Sequence, residues 1–171
     1  MDTGTRTPIQ YGFSLIELMV VLSIMGLFML LVITNTTFLH RSSMYAQLEQ
    51  IYSICHLARQ TALATNKAQT IQFDLLTNSY TWAHRKESLP RSLRFGFIPG
   101  TKGPPGNPTM PISTPITFAG TKITFHPDGI IQSGTLYLID EHATSMYAIS
   151  NAVAQFSYLR MYRYDGTWHI L

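Results

Sequence analysis

The chain divides by the spacing of its apolar residues into three regions. From Phe13 to Ile33 nearly every position is apolar, and Glu17 carries the only charge. Beyond this run Met44, Leu48, Ile51, Cys55, Ala58 and Ala62 recur at steps of four and three, with Ile54 close beside them. That spacing draws one stripe along an α-helix. Gln47, Glu49, Gln50, Arg59 and Gln60 fall between the apolar positions and face away. The pattern predicts one helix from about Phe13 to about Asn66, its second half packed on a sheet. Thr34 to Thr37 are weak helix formers and mark a soft point within it.

From Thr70 onward the period shortens and turns become frequent. Thr70–Leu75, Tyr80–Trp82, Leu93–Ile98, Lys122–Phe125, Gly134–Ile139 and Ser145–Ser150 read as strands. Thr77-Asn78-Ser79 reads as a turn, and Asp165-Gly166 separates Phe156–Tyr164 from Thr167–Leu171 as in a hairpin. His126-Pro127-Asp128-Gly129 is another turn, combining a fixed proline φ with a permissive glycine. Residues Gly100 to Pro115 are rich in Gly and Pro and predict an irregular surface loop, open to binding or to disorder. The expected fold class is α+β: a long N-terminal helix, its first half membrane-spanning, packed on a C-terminal antiparallel β-sheet domain. The corresponding divisions are 1–12, 13–33, 34–66 and 67–171.

Composition sharpens the first region. The chain of 171 residues is 46% hydrophobic and only 12% charged, about half the usual charged share. Residues 13–33, rising about 1.5 Å each, would reach about 30 Å, the thickness of a hydrocarbon core. Apolarity all round this helix excludes an ordinary surface helix. A cleaved signal peptide needs a small-x-small site after its apolar core, and Thr34-Asn35-Thr36-Thr37-Phe38-Leu39 supplies none. Glu17 is costly in such a segment, at roughly 2.5–3.5 kcal/mol near a bilayer centre. It either sits solvated at the interface or has a partner.

Gly12-Phe13-Ser14-Leu15-Ile16-Glu17-Leu18, directly followed by the apolar run, resembles the processing motif of type IV prepilins and type II secretion pseudopilins. The resemblance implies that residues 1–12 are a leader, that a prepilin peptidase cuts between Gly12 and Phe13, and that mature Phe13 is N-methylated. It also implies that Glu17 meets the N-terminal amine of a neighbouring (pseudo)pilin subunit. A paired carboxylate offsets a cost that an unpaired one bears. The leader has one basic residue, Arg6, balanced by Asp2, and Arg41 lies beyond the apolar run. Orientation therefore rests on the resemblance, which implies an inner-membrane anchor with the C-terminal domain in the periplasm.

Further along, Ile123-Thr124-Phe125-His126-Pro127-Asp128-Gly129, then Ser133-Gly134-Thr135-Leu136 and a strand ending at Ser150, resembles minor pseudopilins of the GspH/FimT type over about forty residues. Their frequent Gly-Arg pair is replaced here by Asn151-Ala152-Val153-Ala154. Some FimT-like relatives bind DNA through a basic C-terminal motif, so this departure weakens a nucleic-acid role. Arg160 and Arg163 remain as a small basic group or a solvated strand face. The resemblance implies a minor pseudopilin of a type II secretion pseudopilus. A minor type IV pilin serving pilus assembly or DNA uptake, and a membrane-anchored binding domain, are the alternatives.

No catalytic constellation, cofactor motif or metal-ligand spacing emerges. Gly100-Thr101-Lys102-Gly103 lacks the ending of a phosphate loop, and the six histidines are scattered. Cys55 and His56 leave a helix in different directions, so Cys55 reads as a small core residue. Asp128 is explained by its turn, and Glu141-His142 has no third partner. The net charge of +3 has no block of consecutive cations, and Arg85-Lys86 reads as solvated. The expected role is assembly, not catalysis.

Overall fold

The computed structural model describes residues 14–33, 36–151 and 158–171, with the backbone alone for 31–33 and 36–42. Two compact units divide the chain, residues 1–39 and 40–171. The first contains helix α1 (Leu15–Ile33), and helix α2 (Thr36–Thr65) leads into the second. The expected single helix from Phe13 is thus seen as two described helices, and its continuity at residues 34–35 lies outside the described residues. Among the described residues no helix is long and apolar enough to cross a membrane.

Within the second unit, the six stripe residues from Met44 to Ala62 are all buried. Asn66 then takes a φ of 51°, the left-handed conformation that commonly closes a helix. The strands follow: β1 (Gln69–Asp74), β2 (Ser79–Trp82), β3 (Arg85–Ser88), β4 (Leu93–Phe95), β5 (Lys102–Gly103), β6 (Met110–Pro111), β7 (Lys122–Phe125), β8 (Gly134–Asp140), β9 (Met146–Asn151), β10 (Arg160–Tyr164) and β11 (Trp168–Ile170). They form a four-stranded sheet ordered β3-β2-β1-β7, a five-stranded sheet ordered β11-β10-β9-β8-β4, and the small β5-β6 pair. Every strand pairing is antiparallel. The α+β expectation holds.

Strand alternation explains how both sheets meet α2. Ile71 and Phe73 of β1 share a face with Ile123 and Phe125 of β7, and Ile71 stands opposite Ile123 in register. In the larger sheet Leu136 and Leu138 stand opposite Ile149 and Tyr147. All of these close with the α2 stripe into one core. Cys55 lies inside it, where burial pushes its thiol pKa up to about 12. A thiol held neutral in this way is a packing residue.

The larger sheet is covered on its other face as well. Tyr137, Ile139, Met146, Ala148 and Tyr162 pack there with Ile112. This coverage explains why β8 and β9 read as near-continuous apolar runs. The cover comes from the segment expected to be an irregular loop. That expectation is corrected in part: most of the segment is irregular and exposed, but Lys102–Gly103 pairs with Met110–Pro111, Thr101 and Ile112 are buried, and Trp168 Nε1 donates to Lys102 O at 2.9 Å. Apolar area on the sheet's outer face recruits the loop.

Three polar devices fix the turns. Gly129, at φ 81°, donates its N–H to His126 O, while Asp128 Oδ1 accepts from Ile130 N, each at 2.9 Å. Asn78, also left-handed at φ 46°, accepts from Leu89 N through its carbonyl and from Phe95 N through Oδ1, at 2.8 and 3.1 Å. Asp140 closes the β8–β9 turn, its Oδ1 accepting from Thr144 N at 2.7 Å and Ser145 N at 3.0 Å. Partial burial pushes the Asp140 carboxyl up, but hydrogen bonds from Ser145 and Thr144 outweigh it and hold the pKa below the usual value. A lowered folded-state pKa gives stability that is present above the unfolded value and lost as pH falls through the folded one. Chemical denaturation of wild type and Asp140→Asn below pH about 4 should therefore show the variant losing less stability with acidification.

Candidate assembly site

The apolar run of the sequence becomes α1, and Glu17 falls in its first turn. Ser14 O opens the helix by accepting from Glu17 N at 3.0 Å and Leu18 N at 3.2 Å. A carboxylate here benefits from the positive end of the helix dipole. Helical spacing sets Glu17 on the same face as Val20, Val21 and Ile24, all apolar and all about half exposed. Ser23 satisfies its hydroxyl within the helix, donating to Met19 O at 2.8 Å. Glu17 is thus the one charged side chain among the described residues of α1.

Thirteen large apolar residues between Leu15 and Leu30 are exposed, from 48% at Val21 to 77% at Leu15. At about 1.5–3 kcal/mol for each side chain taken out of water, such a surface requires a cover of lipid or neighbouring helices. The combination is an uncovered greasy rod with one acidic group near its start. Gly12 and Phe13, the expected cleavage residues, lie outside the described residues.

The remaining sequence candidates are not brought together. Cys55 is buried while His56 is exposed, its ring edge-on to Tyr52 at 4.6 Å. Arg160 and Arg163 are three positions apart on β10, so alternation sends them to opposite faces. Arg160 lies over the Tyr158 ring at 4.4 Å, and Arg163 pairs with Asp165 at 2.7 Å. The Arg163 hydrogen bond, followed by the nearby His169, holds the Asp165 carboxyl below its usual pKa. Arg85 and Lys86 are exposed, with Lys86 Nζ 3.9 Å from Asp74. Glu141 and His142 are exposed as well. Among the described residues no group of three His, Cys, Asp or Glu side chains is placed to hold a metal ion.

Comparison with known families settles what the first part of the chain carries. Residues 8–33 match the prokaryotic N-terminal methylation motif. The motif thus takes in Gly12, Phe13, Glu17 and the whole of α1. No curated protein matches the chain. Among solved structures, the minor pseudopilin EpsH from the type 2 secretion system of Vibrio cholerae aligns over 68% of this chain and 94% of its own, at 12% identity and a TM-score of 0.48.

Sequence reasoning missed one polar group of the second unit, the hydroxyls of Thr135 and Ser150, which face each other across β8 and β9 at 2.9 Å. Their only signal was a hydroxyl residue interrupting each of two apolar strands.

Proposed function

We propose that this protein is a minor pseudopilin subunit of a type II secretion pseudopilus. The observation that carries the reading is the methylation motif over residues 8–33, with Glu17 in the first turn of an otherwise uncharged, uncovered helix. In this reading α1 anchors the precursor in the inner membrane, and a prepilin peptidase cuts between Gly12 and Phe13. The new amine on Phe13 is methylated and positively charged. Glu17 of one subunit then pairs with the Phe13 amine of the next, and the β domain contacts other minor subunits in the periplasm. The role is structural, with no chemical step and no cofactor.

The turn from Phe125 to Gly129 and the strands after it support the pseudopilin reading over a plain anchored domain. The separation of Arg160 from Arg163 on β10 favours it over DNA uptake. Mass spectrometry of the protein recovered from cells provides the test. The expected mature N-terminus is N-methyl-phenylalanine at position 13, and a terminus retaining Met1 would overturn the proposal. Loss of exoprotein secretion with normal piliation on deletion distinguishes the secretion role from the pilus role.

A further inference from the structure

The four- and five-stranded sheets each end in two border strands, β3 and β7 in one, β11 and β4 in the other. Unpaired backbone groups on such a strand invite pairing with another chain. Three of these borders are closed. β3 carries Arg85, Lys86 and Glu87, and charged side chains blunt an edge. On β4, Leu93 N donates to Pro90 O at 2.9 Å and Phe95 N to Asn78 Oδ1 at 3.1 Å. On β7, Ile131 forms a bridge to Phe125 and covers that side.

β11 is open. Leu171 N donates to Met161 O at 3.0 Å, so His169 and Leu171 turn their backbone groups to β10. By the antiparallel alternation the N–H and C=O of Trp168 and Ile170 point the other way, where no strand lies among the described residues. Ile170 is also 58% exposed, and residues 167–171 contain no Asp, Glu, Lys or Arg.

An edge with alternating free donors and acceptors takes an extended strand. The strand that fits this edge is its own copy. Turned antiparallel about His169, two copies of β11 set Trp168 opposite Ile170 twice. These are the residues whose backbone groups are free, so each such pair closes two hydrogen bonds. Both pairs lie on the outer face of the sheet, where Trp168 already packs beside Tyr162 and Tyr164. An aromatic ring opposite a β-branched side chain is a favourable cross-strand pair. His169 meets its counterpart on the other face, each imidazole turned to its own Asp165 and Thr167 at 2.9 Å. Isologous pairing of this kind is the commonest symmetry of protein dimers.

We propose that β11 is a self-pairing edge through which two copies of this chain join their five-stranded sheets, a contact separate from assembly through α1. Three residues a side bury far less than a permanent interface, so the contact is reversible. The test is disulfide capture in the full chain, held in phosphocholine micelles under mild oxidation with diamide. In the paired edges position 169 faces itself in a non-hydrogen-bonded pair, with Cα atoms about 4.5 Å apart and within disulfide reach. Cys55 does not compete, since it is buried and its thiol pKa is pushed up to about 12.

His169→Cys should cross-link to a dimer about tenfold faster or more than Ser88→Cys, because pairing raises the effective concentration of its thiols. Ser88 is exposed on the charged edge β3, and contacts through α1 bring both variants together alike, so the ratio reads the β11 edge. Ile170→Pro added to His169→Cys removes an outward N–H and leaves the bonds to β10, a place where an edge strand tolerates proline. Ile170→Lys gives β11 the kind of charge that β3 carries. Each should bring cross-linking down to the Ser88→Cys rate. The proposal is overturned if His169→Cys cross-links no faster than Ser88→Cys. It is equally overturned if the Ile170 variants that keep the parent's urea midpoint cross-link undiminished.

Discussion

Glu17→Ala is expected to yield a chain that loses its leader normally yet is almost absent from assembled fibres. In the proposed assembly the substitution leaves the Phe13 amine of a neighbour charged and unpaired in apolar surroundings. Removing one partner of a buried ion pair typically costs about 3–5 kcal/mol, or roughly a hundredfold or more in an association constant. Immunoblots of sheared fibre fractions measure incorporation, and N-terminal mass analysis of the membrane fraction establishes processing. Glu17→Gln should fail almost as badly, since it keeps the shape but not the charge. Wild-type incorporation of either variant would show that Glu17 is merely a solvated residue at the start of α1.

The second large effect concerns the domain. Phe125 is fully buried on β7, within the core that α2 closes over both sheets. Truncation to alanine removes the whole packed ring, and such changes cost about 3–5 kcal/mol. Against a total stability of about 5–15 kcal/mol, this is a large fraction. Ile130, five residues on and 45% exposed, provides the contrast: Ile130→Ala should shift stability by less than about 0.5 kcal/mol. Urea denaturation of the two variants in the same detergent compares them. Equal midpoints would contradict the placement of Phe125 at the centre of the core.

The helix stripe was legible because six apolar positions at helical spacing leave α2 one way to bury them. The alternation in β1 and β7 was legible for the same reason, since each buries a single face. β3 was not. Arg85-Lys86-Glu87-Ser88 has no apolar alternation, because it is an outer strand with only β2 beside it. Ala83 and His84 form its turn with positive φ at both positions, without the glycine or asparagine that normally announces such a hairpin. What holds β3 is tertiary: Glu87 Oε2 accepts from Tyr80 Oη at 2.7 Å and Gln50 Nε2 at 2.8 Å. The β5-β6 pair was equally hidden, since two-residue strands have no period to read. Of the candidate site, Glu17 was conspicuous as a lone charge. The Thr135–Ser150 hydroxyl pair was not, because its two members are fifteen residues apart and only the strand register aligns them.

Asn78 joins one sheet to the other, for it sits in the β1–β2 turn and holds the backbone of β4. In mechanical terms it is a rivet. Shear between the two sheets must break the Phe95 N–H bond to its side chain, at the point where the hairpin tip meets the border strand. A load applied to either layer is therefore shared with the other through this bond as well as through the core that α2 closes over both.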